Sequence, residues 1–168
     1  MSTENLYNKE AKEKIKDLAE SIDFTLMATN LGNKPFHTVP MSTKKVDENG
    51  NIWFLSGKDT DHNQNINTDN NVQLLYSKPG SMTFLTLYGK AFINTDKTIL
   101  KELYGKTDDS WFEGVDDPNL CAIQFKPDDA HYWEPKSNKF VSLLKMGVGA
   151  ITGNEPDISQ HGDLKSIH

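Results

Sequence analysis

The side chains best suited to chemistry are gathered between residues 36 and 66, where Lys44, Ser56, Lys58, Thr60, Asp61 and His62 follow one another around two predicted strands. Residues 36–46 carry several β-branched side chains and residues 51–56 are mostly large and apolar. Between them Asn49-Gly50 suits a type I′ hairpin, in which both central residues take positive φ. Thr60 is the expected N-cap of a short helix over residues 61–67. A strand that runs straight into a helix N-terminus is a general anion site, because the first-turn N–H groups are unpaired and lie at the positive end of the helix dipole. The plainer alternative is a capped short helix with no ligand.

Any anion held here is held without arginine. The 168-residue chain has none, and all 18 of its basic residues are lysine. Phosphate would then have to rely on lysine, hydroxyls, backbone N–H groups or a protonated histidine, without the planar guanidinium fork. The formal charge of −6 argues against a nucleic-acid partner, which recruits clustered basic residues. Cys121 is the only cysteine, so neither an internal disulfide nor a multi-cysteine metal site can form, and within an apolar run it reads as a small core residue. The histidines are dispersed, and no metal site is expected; His161 and Asp163 read as tail rather than ligands. Asp116 and Asp117 read as shaping the turn before Pro118.

The elements that must position this stretch can be read in order. An amphipathic helix over residues 8–21, with Ala11, Ile15, Leu18, Ala19 and Ile22 at helical spacing, is expected to seal one end of the fold. Strands are expected at 24–30, 35–46 and 51–56, with Pro40 marking a sheet edge or an irregularity. Further strands are expected at 72–77 and 82–93, the second bent or closely packed at Gly89. Thr95 is the expected cap of a helix over 96–104. Residues 108–118 form a polar loop in which Trp111 and Phe112 need something to pack against. Strands at 120–126 and 130–134 and a helix at 140–152 complete the inventory. About seven strands with peripheral helices, and no regular βαβ alternation, imply a mainly antiparallel barrel, an α+β chain that is mainly β. A hydrophobic fraction of 36% fits one globular domain spanning 1–168, with a helical segment over 1–23 and a polar tail over 153–168. No apolar run approaches a membrane span and the N-terminal segment is charged, so a cytoplasmic protein without a membrane partner is expected.

The order of several motifs adds a family. His37-Thr38-Val39-Pro40-Met41, Gly50-Asn51-Ile52-Trp53-Phe54-Leu55-Ser56, Thr60-Asp61-His62 with Ile66, Gly89-Lys90-Ala91, Trp111-Phe112-Glu113-Gly114, Asp116-Asp117-Pro118 and His131-Tyr132-Trp133-Glu134 extend over most of the chain. Together they resemble the pyridoxamine 5′-phosphate oxidase-like flavoproteins, most closely their general stress protein 26 branch. The resemblance implies an FMN-binding split β-barrel with peripheral helices, a homodimer, and FMN or FAD bound in a groove between the subunits. It further implies that Val39, Pro40, Met41, Ser42 and Lys44 run beside the flavin and that Phe54, Leu55 and Ser56 line the other wall. Thr60, Asp61 and His62 would stand at the phosphate, together with Lys44 and Lys58. An extended backbone can meet the carbonyl and imide edge of the ring while apolar side chains cover its face. Trp53 reads as core. Trp111 reads equally as a flavin contact or as an anchor of the loop rim.

The sequence also departs from the family pattern. Val39 stands where relatives often have arginine, His62 where many have lysine, and Phe84 where the vitamin B6 oxidases have a polar flavin contact. The arginine and histidine substrate motif of those oxidases is absent, so pyridoxamine phosphate oxidation is not expected. Three readings stay open: a flavin-dependent oxidoreductase acting on a small molecule, a non-catalytic flavin-binding or flavin-buffering stress protein, and a barrel that has lost its cofactor. No catalytic residue is singled out, since the isoalloxazine itself carries the electrons.

Overall fold

The computed structural model describes residues 2–3, 6–135 and 159–165. Among these residues ten strands and three α-helices follow in the order β1 (Ser2–Thr3), β2 (Leu6–Tyr7), α1 (Asn8–Ile22), β3 (Phe24–Thr29), β4 (His37–Ser42), β5 (Lys45–Val46), β6 (Ile52–Gly57), α2 (Asp61–Thr68), β7 (Asn71–Lys78), β8 (Thr83–Asn94), α3 (Lys97–Leu103), β9 (Leu120–Pro135) and β10 (Ser159–Lys165). The expected helix at 140–152 lies outside the described residues.

The sheet runs β1-β10-β9-β8-β7-β3-β4, and β6, which carries β5, branches from β9. The branch follows from the length of β9. Its first half pairs with β6 from Leu120 to Phe125, and its last half pairs with β10 from Ala130 to Pro135. Its other edge pairs with β8 along the strand. One strand thus serves two arms, and the sheet curls into a split barrel with its helices outside, as expected. Alternate residues such as Met27, Leu74, Leu85, Leu87, Phe125 and Tyr132 point inward, where Ala11, Ile15, Leu18 and Ala19 of α1 join them.

The sequence predicts two separate strands where β9 is one. Pro127 is accommodated because the β8–β9 register shifts between Tyr88 and Gly89, so that Gly89 faces Pro127 and Tyr88 faces Asp129. Pro127 lies against a bulge instead of ending the strand. Gly89 serves this close approach: a Cβ there would stand 2.1 Å from the Lys126 carbonyl oxygen.

Four further boundaries differ from the sequence reading. The residue 35–46 strand starts at His37 and breaks after Ser42. There Ser42 Oγ donates to Asp23 Oδ1 and Thr43 N to Asp23 O, whereas Lys44 N turns to Trp53 O. The chain has then changed partner from β3 to β6. The β5–β6 hairpin is not type I′, because of its two central residues only Gly50 has positive φ, at 83°. Gly50 N donates to Asp47 O, and Asp47 N to Asn51 O. This is a three-residue loop with glycine in the left-handed position. Asp96, not Thr95, caps α3, its Oδ1 accepting from Thr98 N and Ile99 N. Finally, part of the 153–168 tail is ordered by its neighbours as β10, between β9 and the N-terminal strands β1 and β2.

Candidate functional site

The partner change after Ser42 opens a cleft. Among the described residues β4 is the last strand of the sheet and pairs only with β3. Its free edge faces β6 and the start of α2 across a cavity of about 350 Å3, within the range of small-molecule sites of roughly 300–1,000 Å3. Val39, Pro40, Met41 and Ser42 line it consecutively, with Lys44 beyond them. A strand face offers every second residue, whereas a strand edge offers each residue in turn, so the cavity is bordered by the backbone edge of β4. Leu55, Ser56 and Gly57 form the opposite wall, Thr60 and His62 close one end, and Asp108, Trp111 and Phe112 overhang from the loop after α3.

Ten of the twelve residues assigned from the sequence therefore surround one cavity. Phe54 does not line it, since alternation along β6 turns its side chain fully into the main core. Asp61 points to solvent. Lys58 also turns away, donating to Pro118 O at 2.6 Å. Trp53 packs with Leu100, Leu103 and Leu120, as read from the sequence. Phe24, Gly57, Phe112 and Asp108 are additional lining residues. Phe24 lines the cavity because it begins the strand paired with β4, and Asp108 reaches Lys44 from 64 positions away, so no local pattern announces either.

The polar end of the cavity is built on α2. Thr60 occupies the N-cap position with extended backbone, but its side chain makes no cap hydrogen bond. Its hydroxyl donates instead to Gly57 O at 2.9 Å and lies 3.2 Å from His62 Nε2. Ser56 Oγ is closer to Nε2, at 2.7 Å. Beneath this trio Asn63 Nδ2 donates to Gly57 O and Cys121 Sγ to Ser56 O, which fixes the β6–α2 corner. The Cys121 thiol is buried and its pKa is pushed up by desolvation. Burial also lowers the pKa of His62, and the neighbouring His37 lowers it further against the opposing pull of Asp61. The shift favours the uncharged, hydrogen-bonding form of His62. The His37 ring lies 6.3 Å away and nearly parallel, and its buried Nδ1 has no hydrogen-bond partner among the described residues.

Lys44, the other expected phosphate cation, is also engaged. Its Nζ meets both carboxylate oxygens of Asp108, at 3.0 and 2.7 Å. On the rim, Trp111 is 83% exposed. A second groove of about 440 Å3 lies between the end of α2 and β8, bordered by Asn67, Asp69 and Phe92. It is more open, and none of the residues assigned to the flavin from the sequence lines it. Among the described residues, no group of three or more His, Cys, Asp or Glu could hold a metal ion. No helix among them is long and apolar enough to cross a membrane.

A curled, branched, mainly antiparallel sheet with peripheral helices and a cleft beside its edge strand defines the split-barrel class. The pyridoxamine 5′-phosphate oxidase-like family profile matches residues 10–157, and the chain belongs to that family. It is similar to general stress protein 26 of Bacillus subtilis strain 168, with 27% identity over 135 residues, 79% of this chain and 94% of that protein. It is also similar to a structure from Xanthomonas citri described as a general stress FMN/FAD binding protein. That likeness has 26% identity and a TM-score of 0.66, and covers 78% of this chain and 93% of the other. General stress protein 26 from Bacillus anthracis str. Sterne shares the fold at 21% identity and a TM-score of 0.64, over 72% of this chain and 92% of its own.

Proposed function

We propose that this chain is a flavin-binding protein of the general stress protein 26 type, using FMN to carry out redox chemistry on a small molecule. The observation that carries the reading is the free edge of β4, which presents Val39 to Ser42 in sequence along a cavity walled by Leu55 to Gly57. Unpaired ladder groups on that edge can hydrogen-bond the carbonyl and imide edge of an isoalloxazine, while Val39, Leu55 and Phe112 cover its face and exclude water. The Xanthomonas citri relative, described as FMN/FAD binding, supports the same ligand class. When bound, FMN would supply the electron transfer; the chain's own residues bind, orient and desolvate it. His62, held by Ser56 and Thr60, keeps its imidazole at the polar end of the cavity.

A second reading, a non-catalytic protein that binds or buffers FMN or FAD, is favoured by one feature. The polar groups facing the cavity are largely committed to protein partners: Lys44 to Asp108, Thr60 to Gly57 and Ser56 to His62. Anaerobic reduction of the flavin-loaded protein by NADH or NADPH, followed by addition of an electron acceptor, separates the two. Rapid reduction and reoxidation by the acceptor support the oxidoreductase; a bound flavin that neither nucleotide reduces supports the binding protein.

The working form is proposed to be a cytoplasmic homodimer, without nucleic-acid or membrane partners. Phe24 and Leu26 of β3 are 61% and 47% exposed, and Leu26 pairs with Pro40 on one side and with the exposed Leu75 on the other. This apolar stripe is continuous with the cavity, since Phe24 and Pro40 also line it, and a second copy would cover both.

A further inference from the structure

Among the described lining residues of the cavity, Lys44 and Asp108 are the only lysine and the only carboxylate, and they pair with each other. The pair is unlike a fraying surface contact, because the two side chains are only 18% and 14% exposed. Both carboxylate oxygens engage Nζ, and the carboxylate is itself anchored, with Oδ2 accepting from Gly105 N at 2.8 Å. A phosphate that used Lys44 would have to displace Asp108 and leave a largely buried carboxylate next to a second anion. The chain has no arginine to offset that repulsion.

Building on the flavin reading, we propose that Asp108 is the residue that sets ligand charge at this site. By holding Lys44 it leaves the cavity indifferent to the phosphate, so that riboflavin binds about as well as FMN. The flavin's phosphate gains nothing from Lys44 while Asp108 is in place.

The test is a parallel fluorescence titration of the full chain with riboflavin and FMN, in the wild type, Asp108→Asn, Lys44→Met and the double variant, with thermal melting as a folding check. Asparagine keeps an acceptor for Gly105 N–H while removing the charge. The wild type is expected to bind the two flavins within about threefold of each other. Asp108→Asn should favour FMN over riboflavin by roughly tenfold or more, the worth of one charge-assisted hydrogen bond. Lys44→Met should disfavour FMN, and the double variant should return to the wild-type ratio. A wild type that prefers FMN by more than about thirtyfold overturns the inference, as does a ratio that Asp108→Asn leaves unchanged while riboflavin still binds. Loss of riboflavin binding in both single variants would make the pair structural and also overturn it. Failure of the wild type to bind either flavin defeats the underlying flavin reading itself.

Discussion

His62 Nε2 lies 2.7 Å from Ser56 Oγ at the corner where β6 enters α2, with the imidazole almost fully buried. Burial and His37 hold its pKa below the ordinary value of 6.5. A histidine that is neutral in the fold contributes its full stability above the unfolded pKa. That share is lost as pH falls below 6.5 toward the lower folded value, because the unfolded chain takes up the proton first. Urea midpoints measured between about pH 5 and pH 8 should decline on the acid side in the wild type, and less so in His62→Gln. Equal acid sensitivity in both proteins would contradict this role of His62.

Trp53 Nε1 donates to Asp47 Oδ2 at 3.0 Å, and the same carboxylate accepts from the backbone of Asn49 and Asn51 and from the Asn51 side chain. Burial pushes this carboxyl up, but the hydrogen bonds outweigh it and the pKa lies below the usual carboxylate range. Asp47→Ala should destabilise the fold by about 1–3 kcal/mol, since it leaves a buried indole N–H unpaired and frees the hairpin loop. The loss should be present above the unfolded carboxylate pKa and shrink as pH falls through the folded one. Denaturant unfolding at neutral and acid pH checks both parts.

Much of the fold is legible in the sequence because it rests on local signals. Helical spacing in α1 and the apolar run of β6 both report their elements. Pro40 on the edge strand β4 is legible for the same reason. Local signals mislead where a partner distant in sequence decides. The strand after Pro35 breaks at Thr43 because Asp23 claims one side and Trp53 O the other. Pro127 looks like a terminator, and only the facing Gly89 lets β9 continue past it. Asn49-Gly50 alone suggests a two-residue turn, but the Asp47 carboxylate gathers the N–H groups of Asn49 and Asn51 and draws the loop out to three residues. The motifs bring most of the cavity lining together, whereas Asp108, which neutralises Lys44, does not stand out from its run of acidic loop residues.

Gly89→Ala should be among the most damaging single-atom additions in the chain. The new Cβ would stand 2.1 Å from Lys126 O and 2.9 Å from Pro127 Cα, both backbone atoms that cannot rotate away. Separation of β8 from β9 is the only relief, and a loss of about 3 kcal/mol or more is expected. Gly80→Ala is the control, because nothing lies within 4 Å of a Cβ there. Thermal melting of the two variants should differ sharply.

Trp111→Ala should leave melting nearly unchanged, because the indole is 83% exposed and contributes little to the core. As a flavin contact it should nevertheless contribute about 0.5–1.5 kcal/mol to binding, or a few-fold to tenfold in affinity. Unchanged flavin affinity and unchanged quenching of flavin fluorescence would assign the indole to the loop rim alone.

The central claim is that the cleft between the β4 edge and β6 holds the isoalloxazine ring. Its most direct test is a riboflavin titration, followed by flavin fluorescence, of the wild type and of Val39→Trp, in which an indole replaces the isopropyl group within the cavity. Saturable binding of about one flavin per chain is predicted for the wild type. Binding should be lost in Val39→Trp while far-UV circular dichroism is retained. Absence of saturable binding in the wild type, or undiminished binding in the folded Val39→Trp variant, would contradict the claim.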